Sequence, residues 1–200
     1  MNKKNNLKIQ ILDCTLRDGG YYNNWNFNNG LVKEYVASIN KANIDVVEVG
    51  FRFLKDNNNG TFANTRENVI NKLNFRKNLN IALMINSSDL DFSKNYKRQL
   101  KKYFINKRKS KVSILRLATH LKDIKKIIPH VKYLKKLGYK IVINLMQIDK
   151  VKRSSLSDVL KTLKKTNSVD VFYFADSFGN LNLANIEMIC KNIKKNWKKD

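Results

Sequence analysis

A chain of 200 residues with 42% hydrophobic content can bury one sizeable core, which argues against intrinsic disorder and for a single domain spanning residues 1–200. The net charge of +24 would suit a polyanionic partner, yet the lysines are spread over nearly every segment rather than gathered into a stripe interleaved with aromatics, so no dedicated nucleic-acid site is expected. Cys14 and Cys190 stand far apart without zinc-site spacing, and no apolar run reaches the roughly eighteen residues of a membrane span; neither a disulfide framework nor a membrane-spanning helix is expected, and a cytoplasmic location is.

In chain order, Leu7 to Asp13 reads as a strand that stops in Cys14-Thr15-Leu16-Arg17-Asp18-Gly19-Gly20, a turn setting a cation, a carboxylate and two glycines side by side. Taken alone, this stretch also fits a solvated ion pair with glycines supplying positive φ. Gly30 to Ala42 places Leu31, Tyr35, Val36 and Ile39 on one face of a helix. Ile44 to Phe51 is a buried strand, Lys55 to Gly60 a loop, Thr65 to Lys77 a helix with Thr65 as a possible cap, and Asn80 to Asn86 a third strand. The segment from Ser87 to Ser110 carries a short helical pattern in Tyr96, Leu100, Tyr103 and Phe104. Val112 to Ala118 is the fourth strand, followed by a helix from Leu121 to Leu137 with Gly138 as its C′ residue and Pro129 as a kink or a new start. Tyr139 to Met146, a helix over Ser155 to Lys165 capped by Ser154 or Ser155, Val169 to Ala175, and a helix over Asn182 to Trp197 complete the chain.

Six alternating strand and helix patterns without hairpin signals predict an α/β fold with a parallel sheet. Two closures compete, an open doubly wound sheet and a (β/α)8 barrel, and periodicity does not choose between them. The strand ends favour the barrel. Arg17 and Asp18 follow the first strand, Glu48 sits in the second, Asn86 ends the third, Arg116 and His120 lie at and after the fourth, Asn144 and Gln147 mark the fifth, and Asp176 follows the sixth. A barrel brings all of these to one mouth, whereas an open sheet strings them along an edge. Glu48 also admits a plain reading, as a buried acid paired with Arg17 or Arg116.

Three stretches carry a family resemblance: Asp13 to Tyr21, Val47-Glu48-Val49-Gly50-Phe51, and Phe174-Ala175-Asp176-Ser177-Phe178-Gly179. In the same order along nearly the whole chain, they resemble the HMGL-like, pyruvate-carboxyltransferase-like superfamily of metal-dependent aldolases, lyases and synthases. Hydroxymethylglutaryl-CoA lyase, isopropylmalate synthase and 4-hydroxy-2-oxovalerate aldolase typify it, and the opening stretch is most like the aldolase branch. The resemblance implies a TIM barrel with a divalent metal, Mn2+ or Mg2+, at its mouth, and carbon–carbon bond cleavage or formation on a 2-oxo acid through a pyruvate-type enolate, with an aldehyde as the other reactant. It implies Asp18 as a metal ligand, Arg17 steadying the enolate oxygen, and Glu48 organising Arg17 or the metal's surroundings. Arg116, Asn144 and Asp176 are the expected substrate-binding groups.

Two departures shape the expectation. In the aldolases a catalytic histidine stands three residues after the metal-binding aspartate, and that position is Tyr21, making the phenol a candidate for proton transfer. The family's His-x-His pair on the seventh strand has no counterpart, since His120 and His130 do not form it. About six βα units are therefore expected, with the last two missing, as in the N-terminal three-quarters of a barrel domain. Such a chain is expected to bind metal and turn over substrate poorly by itself, and a second copy or another chain is expected to cover its open edges. The alternatives are a degenerate, non-catalytic fragment and a basic polyanion-binding α/β protein.

Overall fold

The computed structural model describes residues 9–55 and 58–197. Among them lie six strands: β1 (Leu12–Asp13), β2 (Val46–Phe51), β3 (Asn80–Asn86), β4 (Val112–Thr119), β5 (Lys140–Leu145) and β6 (Val171–Phe174). All adjacent pairs are parallel, and the spatial order is the sequence order from β1 to β6. A doubly wound sheet reverses its order at a switch point; an unreversed sequence with a helix after each strand is the winding of a TIM barrel. The chain forms six units of that winding, a curled half-barrel. The helices are α1 (Thr15–Asp18), α2 (Asn29–Lys41), α3 (Glu67–Lys72), α4 (Tyr96–Tyr103), α5 (Ile124–Lys136), α6 (Arg153–Thr166) and α7 (Leu183–Asn196).

Both sheet faces are covered, which is why the strands read as continuous apolar runs. Outward-pointing Val47, Val49, Leu83, Ile85, Leu115, Leu117, Ile141 and Ile143 are buried beneath α2 to α6. The inward side has its own cluster of Leu12, Val46, Ala82, Ile114, Val142, Val171 and Tyr173. The registers pair Leu12 with Val46, Glu48 with Ala82, Ala82 with Ile114, Arg116 with Val142 and Val142 with Val171. With barrel tilt, side chains from alternate strands then share a level. Val46, Ile114 and Val171 form the lowest layer, Leu12, Ala82 and Val142 the next, and Glu48, Arg116 and Tyr173 the one above.

Several local expectations are corrected. The first strand is regular only at Leu12–Asp13, with Ile9 to Ile11 outside it and residues 7 and 8 outside the described residues. As an edge it pairs with β2 alone. The stretch after it is a helical turn, α1, running into a 3-10 turn over Gly19–Tyr22, and Gly19 has φ −62°, so the glycine pair is not there for positive φ. Gly20 answers to space instead, because a Cβ on it would lie 1.9 Å from the Trp25 ring. On α2 the buried face is Val32, Val36 and Ile39, while Leu31 is exposed. The helix α3 is half the expected length, and Thr65 does not cap it; its hydroxyl donates to the Phe62 carbonyl. Neither Ser154 nor Ser155 caps α6, whose N-cap is Lys152. The helix α5 runs unbroken through Pro129, and Gly138 at φ +99° is the C′ residue expected.

Candidate active site

The mouth is built on a buried carboxylate. Glu48, on the inward face of β2, is fully buried, and its two oxygens are taken by two guanidinium groups. Arg17 Nε donates to Oε1 at 2.6 Å from the turn after β1, and Arg116 Nη1 donates to Oε2 at 2.6 Å from β4. Both plain pairings suggested by the sequence are present at once. An acid in this position is tolerable only because each oxygen has a charged partner. Both arginines are thereby fixed in place, and Arg116 is itself 8% exposed.

Arg17 also reaches Asp18, Nη1 to Oδ1 at 2.5 Å. Burial works against its charge, but Glu48 and Asp18 more than offset this and hold the guanidinium above its ordinary range. The short helix α1 lets adjacent residues 17 and 18 serve one site, and Trp25 Nε1 fixes it by donating to the Arg17 carbonyl at 2.9 Å. Asp18 is more open, with a half-exposed side chain, and the Cys14 thiol donates to its Oδ2 at 3.1 Å. Burial, and then that bond, push the Cys14 thiol up to about 11, so it stays protonated.

Tyr173 completes the cluster. Its hydroxyl accepts from Arg116 Nη2, and the Arg116 guanidinium lies 4.9 Å over its ring. Burial pushes the phenol up to about 12, against the pull of Arg116. Sequence reasoning passed over this residue; inside Val171-Phe172-Tyr173-Phe174 every side chain is apolar or aromatic, and the available signal was the alternation that puts Tyr173 on the same face as Val171.

Of the other expected groups, Tyr21 stands at the rim, 63% exposed, its ring edge-on to Trp25 at 4.9 Å and to Phe51 at 6.1 Å. Burial of its inner half raises the phenol above its usual value while Arg17 pulls the other way. Asn144 lies on β5 in register with Tyr173, and its Oδ1 is buried with no hydrogen-bond partner among the described residues. Asp176 turns back into its own loop, where the Asn180 and Leu181 N–H groups donate to its two oxygens at 3.0 and 2.9 Å and hold the carboxyl below its usual range. Arg17, Asp18, Glu48 and Arg116 are therefore in one contact network, while Asp176 is bonded within its loop and His120 follows β4 outside that network.

The described residues do not fit a divalent-metal site. A hard cation wants several oxygen or imidazole donors. Asp18 alone is at hand, already engaged by Arg17 and Cys14, and no group of three His, Cys, Asp or Glu side chains comes together among the described residues. No helix there is long and apolar enough to cross a membrane.

Comparison with solved structures returns barrel proteins. The N-terminal domain of a protein from Bacteroides vulgatus designated an aldolase is 31% identical over 94% of this chain and 60% of that one, with a TM-score of 0.74. Hydroxymethylglutaryl-CoA lyase from Pseudomonas aeruginosa shares the fold at 11% identity, 95% and 65% coverage and a TM-score of 0.70. The carboxyl transferase domain of Rhizobium etli pyruvate carboxylase does so at 11% identity, 96% and 34% coverage and a TM-score of 0.66. The chain thus spans less than two-thirds of the length of each, and a search of curated proteins finds no match. The HMGL-like family model matches residues 8–200, and with its order of strands and its Arg17, Asp18 and Glu48 at the mouth, the chain belongs to the HMGL-like family.

Proposed function

We propose that the chain carries the anion-handling part of an aldolase- or lyase-type site, in which a carbon–carbon bond next to the carbonyl of a 2-oxo acid is broken or formed. The observation that carries this reading is the single buried Glu48 holding two arginines at the barrel mouth. Neither guanidinium can leave without stranding one oxygen of the buried carboxylate, so both are held where the substrate's carboxylate and enolate oxygen would lie. Such preorganised charge is worth most in a water-poor site, and it lowers the barrier by stabilising the enolate more than the ground state.

Within this reading Arg17 stabilises the enolate oxygen, Arg116 and Asn144 bind the acid, and Glu48 positions both arginines. Tyr21 takes the place of the aldolases' histidine. Because its phenol is raised, it is protonated at neutral pH and serves as a proton donor at the rim rather than as a standing base. Members of the family generally depend on a divalent metal, and Asp18 is the residue here that the motif assigns to one.

The test is calorimetric titration with oxalate, a planar mimic of the pyruvate enolate, together with a turnover assay on a 4-hydroxy-2-oxo acid that follows release of pyruvate. Wild type is expected to bind oxalate, and Arg17→Ala to weaken binding and cut any turnover by about a hundredfold or more. Absence of oxalate binding by the wild type, or full binding by Arg17→Ala, overturns the reading.

A further inference from the structure

The layer of inward-facing side chains at the mouth comes from alternate strands: Glu48 from β2, Arg116 from β4 and Tyr173 from β6. Two of these three belong to the anion site described above. The third has an amphipathic placement. Its ring packs on the inner apolar cluster with Val142 and Val171, and its hydroxyl meets Arg116 at the edge of that cluster. An oxygen that accepts from a cationic N–H directs its own proton away from that donor. Resting on the 2-oxo acid reading, we propose that Tyr173 touches the substrate, its hydroxyl donating to an anionic oxygen of the bound acid while Arg116 holds the phenol in place.

The phenol is pushed up to about 12, so it remains a neutral donor throughout the physiological range. Asn144 is its register partner on β5, and the Asn144 Oδ1 is a buried acceptor lacking a partner among the described residues. A donor and an orphaned acceptor on neighbouring strands, facing the same interior, suit a small acid that also carries a hydroxyl group, with Tyr173 meeting its charged end and Asn144 accepting from the hydroxyl. An unpaired buried carbonyl of this kind is costly until a ligand supplies its donor.

The experiment compares oxalate binding by wild type, by Tyr173→Phe and by a chain whose Tyr173 ring is fluorinated site-specifically to lower the phenol's pKa. Phenylalanine keeps the ring packing, and binding is expected to weaken about tenfold to a hundredfold with little change in the unfolding midpoint. In the fluorinated chain, affinity is expected to match wild type at low pH and to fall as the pH passes the lowered pKa, because the donor is replaced by a like charge. A phenolate pairs with Arg116 more strongly than a phenol does, so a residue that merely steadied Arg116 would give flat or rising affinity over the same range. That outcome, or undiminished binding by Tyr173→Phe, overturns the proposal and leaves the 2-oxo acid reading standing. Failure of wild type to bind oxalate overturns both.

Discussion

At the scale of single residues, the site depends on a charge balance that one substitution upsets. Replacing Glu48 by Gln keeps the shape but leaves Arg116 buried with no counter-ion and Arg17 with only Asp18. Breaking a buried pair in this way is expected to cost about 3–5 kcal/mol, read as a lowered urea midpoint. A loss below about 1 kcal/mol would mean that water reaches the pair. The adjacent glycines make a sharper contrast. Gly20→Ala drives a methyl group into the Trp25 ring, whose indole N–H holds the Arg17 carbonyl, and is expected to cost about 1–3 kcal/mol and to shift tryptophan fluorescence. Gly19→Ala meets only the Phe27 ring at 3.7 Å, at helical φ and ψ, and is expected to be neutral within about 0.5 kcal/mol. Equal effects at the two positions would contradict the packing argument.

At the scale of elements, α3 shows how a distant contact overrides a local pattern. The apolar spacing through Phe75 suits a helix that continues to Lys77, yet the helix ends at Lys72. Arg76 is needed elsewhere: its guanidinium donates to the carbonyls of Ile39, Asn40, Ala42 and Ile44, closing the C-terminal end of α2 and its exit into β2. The last carbonyls of a helix have no internal partners and carry the negative end of its dipole, so a fixed cation there is well placed. Arg76→Met, which keeps much of the side chain's length, is expected to lose about 2–3 kcal/mol, measured by urea unfolding, with amide exchange rising first in α2. Nothing in the residues near Arg76 announces this, because the partners lie more than thirty positions away. The same physics separates what the sequence discloses from what it hides. The strands β2 to β5 were legible because burial on both faces writes each as an apolar run, and Arg17, Asp18, Glu48 and Arg116 stood out as charges at or inside the apolar runs. Tyr173 was hidden because an aromatic residue in an apolar run looks like core, and only the registers with β5 and β4 show that its hydroxyl reaches Arg116. The shared use of Glu48 by both arginines was likewise invisible, since either pairing alone accounts for a buried acid.

At the scale of the whole molecule, stability against pH is set by two opposing effects. Burial raises Cys14 from 9.0 to about 11 and Tyr173 from 10.0 to about 12, and also raises Tyr35 and Tyr139. A group whose folded pKa exceeds its unfolded value contributes stability that is intact below the unfolded value and is lost as pH climbs through the folded one. These groups therefore act in the same direction, and the losses from Cys14 and Tyr173 begin near pH 9.0 and continue to about 12. The opposing effect comes from the net charge of +24: lysines lose their protons over a similar range, which relieves self-repulsion in the compact chain. Self-repulsion between exposed charges is screened by salt, whereas the desolvation that opposes ionisation of the part-buried Cys14 thiol and Tyr173 phenol is screened much less. In about 0.5 M salt the relief is removed and the urea midpoint is expected to fall steadily above pH 9, while at low salt the fall is shallower or delayed. Tyr173→Phe should make the high-salt profile flatter between about pH 10 and 12 and leave its slope unchanged below pH 9, because the ionisable oxygen is gone while loss of its bond from Arg116 acts equally at every pH below that. A profile that stays level to pH 11 in high salt would show that these side chains are solvated in the folded chain. The barrel mouth would then lack the dry, prearranged surroundings that the proposed enolate chemistry requires.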